Sequence, residues 1–315
     1  MRILSMSGFV PEHICDTERF IYFSGNREIS FYCGYASDYV SRVLSDDSID
    51  GAVYPRSCDS TRVISGYIRK SKKFTYQINV PSYNVPGAVE YYATSIKKYK
   101  EAIEQYYGVN LDPVDERISL INERNAKIRK MYEILSDLSY SDYLSQIHGI
   151  LKQPLKEQIW NDNLGGCSAS GKRVYIVGSF LSNIRLVEKM EKLGMNIVGD
   201  SLPESGRLVS ALPVNRSGDI YSDIAHSILS AKTSPTQNCF DHILKSDLEE
   251  IRRKDVKGVI FVLQNYCEPY EYLYGVYAKA LDAMGIQVLK LSLDSTEDDK
   301  GCELMIEAFA DTLKG

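Results

Sequence analysis

A chain of 315 residues exceeds the size at which one hydrophobic core usually suffices, so two α/β units sharing a cleft are expected. Hydrophobic residues at 44% and charged residues at 25% are ordinary for a globular protein, and no apolar run approaches the roughly 18 residues that a membrane span needs. A formal charge of -5 leaves no cationic excess for phosphate backbones, so neither a nucleic acid nor a membrane is an expected partner.

In chain order, the opening MRILSMSGFVPEHICD lacks the basic start and sustained apolar stretch of a secretory leader, which points to the cytoplasm. RILSMSG and RFIYFSG are short apolar runs, YCGYASDYVSRVL has helical spacing, and GAVYP reads as a buried strand ending in a turn. That order is α/β. Cys58 falls just past the GAVYP strand, at the edge of an open sheet where ligands collect. Val89, Tyr92, Ile96, Tyr99, Ile103 and Tyr106 form one helical stripe that Gly108 ends. A second helix is expected from Asp112 as cap and Pro113 as first residue, with Ile121, Ile128, Met131, Leu135 and Leu138 on one face. Two stripes a short loop apart suggest a helical hairpin over about 86–160, packed within the protein rather than acting as a separate coiled coil.

The Gly/Ser-rich link GGCSASGKR marks a boundary, giving a lobe over 1–164 and a second over 165–315. Beyond it, the strands RVYIVGS, NIVGD, VKGVIFVL and IQVLKLSLD alternate with helices such as LVEKMEKLG, as a parallel sheet with right-handed crossovers requires. Cys267 follows the third of these strands.

Seven cysteines, at 15, 33, 58, 167, 239, 267 and 302, form an odd, scattered set that does not suit a disulfide framework and leaves thiols free to bind metal. No CxxC pair is present, and spacing alone favours the reading of isolated cysteines as buried hydrophobes. No GxGxxG or GxxxxGK pattern supports nucleotide binding, and His13, His148, His226 and His242 lack paired-ligand spacing. Gly178, Ser179, Gly199 and Asp200 sit at strand ends, where a phosphate-bearing ligand or plain turn chemistry would each account for them.

The segments YPRSCDSTR, VIFVLQNYCEPYEY, RVYIVGSFLSN with NIVGD, INVPSYNVPGAVEYY, INERNAKIRK and the closing IEAF occur in an order that resembles the D-component family of 2-hydroxyacyl-CoA dehydratases and benzoyl-CoA reductase subunits. The resemblance implies two flavodoxin-like or Rossmann-like lobes with parallel sheets and a helical hairpin insertion. It also implies a [4Fe-4S] cluster in the inter-lobe cleft, with Cys33, Cys58 and Cys267 as metal ligands. Three protein thiolates on a four-iron cluster leave one iron open as a Lewis acid. Cys15, Cys167, Cys239 and Cys302 lack the flanking signatures and are assigned to packing or surface, although Cys167 or Cys239 joining the set would allow a double-cubane cluster.

The activity so implied is a hydro-lyase reaction. An ATP-dependent iron-sulfur activator supplies one electron, a ketyl radical forms at the thioester of a 2-hydroxyacyl-CoA, and the hydroxyl leaves as water. The alternatives are a benzoyl-CoA-reductase-like or double-cubane-type reductase of another small molecule, or a non-catalytic electron-transfer subunit. A related second subunit or a homodimer is expected. Glu12, in the Pro-Glu that resembles the start of the family domain, is the catalytic candidate for moving protons, with stabilisation of a helix N-terminus as its competing role. Asp59 and Arg62 either tune the site or cap the loop. Ser234 stands where the family often has cysteine, and Leu304 and Met305 where it has Thr-Arg, which keeps a different small-molecule substrate as the rival reading.

Overall fold

The computed structural model describes residues 1–6, 8–21, 33–161, 164–166, 171–232, 234–237, 240–293 and 300–313. Its strands fall into two parallel sheets. β1 (Ile3–Met6), β2 (Glu18–Phe20), β3 (Gly51–Arg56) and β4 (Phe74–Asn79) lie in the order β2-β1-β3-β4. β5 (Lys172–Gly178), β6 (Met195–Ser201), β7 (Gly258–Gln264) and β8 (Gln287–Leu293) repeat it as β6-β5-β7-β8. This is the doubly wound order of two Rossmann-like lobes. In each, the chain reverses direction across the sheet at the first strand, opening a crevice beyond the carboxyl ends of β1 and β3, and of β5 and β7.

The helices are α1 (Gly34–Ser45), α2 (Asp59–Val63), α3 (Ser65–Ile68), α4 (Ala88–Tyr107), α5 (Asp115–Glu133), α6 (Tyr140–Lys152), α7 (Ile184–Lys192), α8 (Gly206–Ser210), α9 (Ile220–Leu229), α10 (Phe240–Arg253), α11 (Glu268–Asp282) and α12 (Lys300–Thr312). None of them is long and apolar enough to cross a membrane.

β7 is buried along its whole length, as an apolar run covered on both faces must be. β4 escaped the sequence reading because only Phe74 and Ile78 of its six residues are buried, which is what an edge strand shows. α4 buries Tyr92, Ile96, Tyr99 and Ile103 and ends at Gly108, whose φ of 66° is the left-handed conformation that glycine takes without strain.

Two expectations for the next helix are corrected. α5 starts at Asp115, because the Asp112 carboxylate accepts from Lys100 Nζ at 2.8 Å instead of capping a helix. The stripe along α5 also divides between two cores. Ile118 packs with the α4 face in the first lobe, whereas Ile128 packs with the strands of the second, so α4 and α5 diverge. The halves of the chain interleave further: α6 buries Tyr143, Leu144 and Ile147 in the core of the second sheet, and Ile224, Ala225 and Leu229 of α9 pack with α4 in the core of the first. The lobes are thereby locked through shared cores.

Candidate cysteine-lined site between the lobes

The backbone carries each expected ligand to a helix N-terminus. Cys58 follows β3 and caps α2 with extended backbone (φ -143°, ψ 174°). Cys267 follows β7, the strand equivalent to β3 in the other lobe, and caps α11. Tyr266 before it is held at a φ of 64°, an uncommon conformation for a residue of its size. Cys33 caps α1. The three therefore meet at the mouth of both sheets, lining a partly open cavity of about 190 Å³ and an adjoining cleft of about 540 Å³.

Helix N-termini and burial act in opposite directions on the three thiols. The first backbone N–H groups of each helix point at its capping thiol, those of Tyr35 and Ala36 at Cys33, Ser60 and Thr61 at Cys58, and Tyr270 at Cys267. The Cys33 thiol is brought down to about 7, chiefly by its hydrogen bond with Cys267. The same contact, with burial behind it, raises Cys267. Burial also raises Cys58. Among the described residues no three His, Cys, Asp or Glu side chains gather around a point that a single metal ion would occupy. Thiols are the donor type that iron-sulfur clusters take.

Neighbouring groups hold the thiols in place. Thr61 Oγ1 accepts from the backbone N–H of Cys58 at 3.1 Å and of Ser57 at 3.2 Å, and donates to the Cys58 carbonyl at 2.8 Å. The Ser60 hydroxyl bonds to Cys33. Gln264 Nε2, at the end of β7, donates to the Phe180 carbonyl at 2.7 Å.

Away from the cysteines the same cavity meets charge. Glu12, 4% exposed, is gripped by Arg19 Nε and by Arg124 Nη1 at 2.8 Å. Burial pushes its carboxyl up, but the two guanidinium charges overcome this and hold it near 2, so it is an anion at neutral pH. Burial brings His13 down to about 4, so it is neutral. Arg207 donates to Tyr270 Oη at 2.5 Å and to the Gly178 carbonyl at 3.2 Å, with its guanidinium over the Tyr270 ring. Lys232 is neutralised by Asp247 at 3.0 Å and Glu250 at 2.7 Å.

Other positions from the sequence fall elsewhere. Asp59 and Arg62 form an exposed ion pair at 3.2 Å. Asp200 accepts from Leu202 N, Gly206 N and Ser205 Oγ at 2.9, 2.8 and 2.6 Å, which is turn chemistry. Ser179 and Ser234 line the cavity, whereas Leu304 and Met305 are exposed on α12. Cys15 is packed in the first core with its thiol pushed up to about 12, chiefly by burial. Cys302 is half-buried on α12. Cys167 and Cys239 lie outside the described residues. Arg19, Arg124 and Arg207 were not singled out from sequence; Arg124 stood in the INERNAKIRK segment, but nothing marked it as facing a cavity.

The family model for the 2-hydroxyglutaryl-CoA dehydratase D-component matches residues 2–313. The chain belongs to this family. Among curated relatives, it is 24% identical to a subunit of the benzoyl-CoA reductase of Thauera aromatica, over 76% of this chain and 68% of that one. It is 22% identical to the beta subunit of (R)-2-hydroxyglutaryl-CoA dehydratase of Acidaminococcus fermentans, over 90% and 82%. A shorter match, 25% identical over 45% of this chain and 38% of the relative, is to the beta subunit of the (R)-phenyllactyl-CoA dehydratase of Clostridium sporogenes. The D-component family thus includes subunits of dehydratases and of a reductase.

Proposed function

We propose that this D-component chain is the cluster-bearing subunit of a 2-hydroxyacyl-CoA dehydratase-type enzyme, with Cys33, Cys58 and Cys267 as the three thiolate ligands of a [4Fe-4S] cluster. The observation that carries the reading is the meeting of three thiols, each capping a separate helix, on one inter-lobe cavity. When bound, the cluster supplies single electrons and a Lewis-acid iron for the removal of water from a 2-hydroxyacyl-CoA.

The chain's own groups do the rest. The helix N-termini and the thiols' neighbours fix the ligands. Phe9, Val10, Ile121 and Ile228 line the cavity and keep bulk water from a reactive radical. Glu12 acts as a fixed anion that holds Arg19 and Arg124 on the cavity wall. A separate ATP-dependent iron-sulfur activator and a related second subunit or second copy complete the system; the named relatives are themselves subunits. Reduction in place of dehydration is the second reading, favoured by the reductase subunit among the relatives.

The test is anaerobic assay of the purified protein with an activator of this enzyme type, ATP and a panel of 2-hydroxyacyl-CoA and aromatic acyl-CoA thioesters. Dehydrated product from a 2-hydroxyacyl-CoA supports the proposal, reduced aromatic product supports the second reading, and turnover of neither class overturns both.

A further inference from the structure

His13 is a titratable side chain on the cavity wall that the reading above leaves without a task. The turn before β2 puts it there. The Ile14 N–H donates to the Pro11 carbonyl at 3.1 Å, so that Glu12 and His13 both face the cavity, and the His13 carbonyl accepts from Arg117 Nε at 3.0 Å. The residue is 7% exposed, and its ring Nδ1 has no hydrogen-bond partner. A buried polar nitrogen left unpaired costs about 1–3 kcal/mol, so packing alone gives no reason for a histidine at this position.

The charged groups around the ring come from three elements. Glu12 precedes it in the turn, Arg19 stands on β2 and Arg124 on α5, with Asp16 close to Arg124. Burial and the two arginines disfavour a proton on the ring, Glu12 favours one, and the balance leaves a neutral imidazole. A neutral ring has a lone pair that takes up a proton and becomes neutral again on passing it on.

Apart from the thiols, the other ionisable side chains on this wall are committed. Glu12 is pinned as an anion by its two arginines, and Lys232 is held as an ammonium by Asp247 and Glu250. The Tyr270 hydroxyl is pushed up to about 12, chiefly by burial, and that of Tyr35 donates to the Phe20 carbonyl at 2.7 Å. Guanidinium groups keep their protons. Among the described residues of the wall, His13 is the group able to accept a proton and release it.

We infer that His13 is the catalytic proton carrier of the cavity, taking a proton from the carbon beside the hydroxyl-bearing carbon and delivering it to the departing hydroxyl. This rests on the proposed dehydratase reading. The C–H bond breaks and its electron pair becomes the second bond of the new C=C unit. The C–O bond breaks and its pair leaves with oxygen, and the proton carried on the ring joins that oxygen to give water. No net oxidation or reduction occurs. Glu12, one residue away, offsets the charge of the ring while it holds the proton.

The test uses the anaerobically purified holoprotein with activator, ATP and 2-hydroxybutyryl-CoA, a short substrate with hydrogen on the carbon beside the hydroxyl-bearing one. His13→Ala is expected to lose about 100-fold or more in kcat, the range for removal of a general acid–base group, with iron content unchanged. Free imidazole, which fits the space the ring vacates, is expected to restore part of the rate. A ring that only packed would leave a loss that follows the melting temperature and ignores imidazole. Undiminished kcat in folded His13→Ala, or a loss that imidazole does not relieve, overturns the inference and leaves the dehydratase reading standing. A wild-type protein that dehydrates no 2-hydroxyacyl-CoA removes both. Should His13→Ala not fold, labelling of the wild type with diethyl pyrocarbonate decides. Modification of His13, mapped by mass spectrometry, is expected and is expected to slow when butyryl-CoA is present; no modification, or equal modification with and without the thioester, overturns the inference.

Discussion

The ring of Tyr35, in the first turn of α1, stacks on the ring of Phe180, just past β5, with centroids 4.2 Å apart and planes 8° from parallel. Tyr35 lies two residues beyond Cys33, and Phe180 receives the Gln264 amide from the end of β7, the strand that leads to Cys267. The stack therefore ties the backbone that carries one cysteine to the backbone that carries another, across the two lobes. A double-mutant cycle with Tyr35→Leu and Phe180→Leu, read by denaturant unfolding, should give a coupling of about 0.5–1.5 kcal/mol. Additive losses would show that the two rings are neighbours without mutual stabilisation.

Gly178 ends β5 at a φ of 150°, and a Cβ there would sit 1.8 Å from the Val262 carbonyl oxygen on β7. The clash is with backbone, so no side chain can move aside. Gly178→Ala is expected to cost more than about 4 kcal/mol, enough to leave little folded protein in expression trials. Normal yield and a melting temperature near that of the wild type would show that β5 and β7 can separate here without penalty.

Glu12 sets an acid limit on stability. Its folded value near 2 lies below the roughly 4.3 of an unfolded glutamate. A lowered carboxylate stabilises fully above the unfolded value, and the contribution drains away as pH falls from about 4.3 toward 2. The loss is on the order of 3 kcal/mol for this group. At neutral pH, Glu12→Gln leaves the buried Arg124 and Arg19 without their counter-charge and should cost about 3–5 kcal/mol. The difference in unfolding free energy between wild type and variant should shrink on acidification; a difference that stays constant from pH 7 to pH 3 would mean that Glu12 is not ionised in the folded protein.

Much of this architecture could be read along the chain, and what could not has identifiable causes. β3, β5, β6 and β7 announce themselves as apolar runs because they are buried along nearly their whole length, which removes the alternation that marks a half-exposed strand, whereas β8, at an edge, shows that alternation. β4 sits at an edge and carries too few apolar residues to show. The helical stripe of α5 holds for Ile121, Ile128 and Met131 but not for Leu135 and Leu138, which lie past its end at Glu133, and periodicity says which residues share a face and not that the face serves two cores in turn. Asp112 has the composition of a helix cap, and only the fold reveals that Lys100, back on α4, claims its carboxylate.

At the site, the cysteines stood out through their flanking segments. The arginines did not, since Arg207 lies in a five-residue helix with no surrounding pattern and its partners, Gly178 and Tyr270, come from distant parts of the sequence. Glu12 was visible as a carboxylate beside a cleft. Its fixed charge depends on Arg124, a residue more than a hundred positions away, and so belongs to the tertiary structure alone.

The most direct measurement is the iron and sulfide content of the anaerobically purified chain, with its visible absorption, alongside Cys33→Ser, Cys58→Ser and Cys267→Ser, each verified as folded by circular dichroism. The account predicts roughly four irons per wild-type chain, as one cubane requires, and a marked loss of iron and colour in every one of the three variants. Full iron content retained by folded variants at all three positions would contradict it.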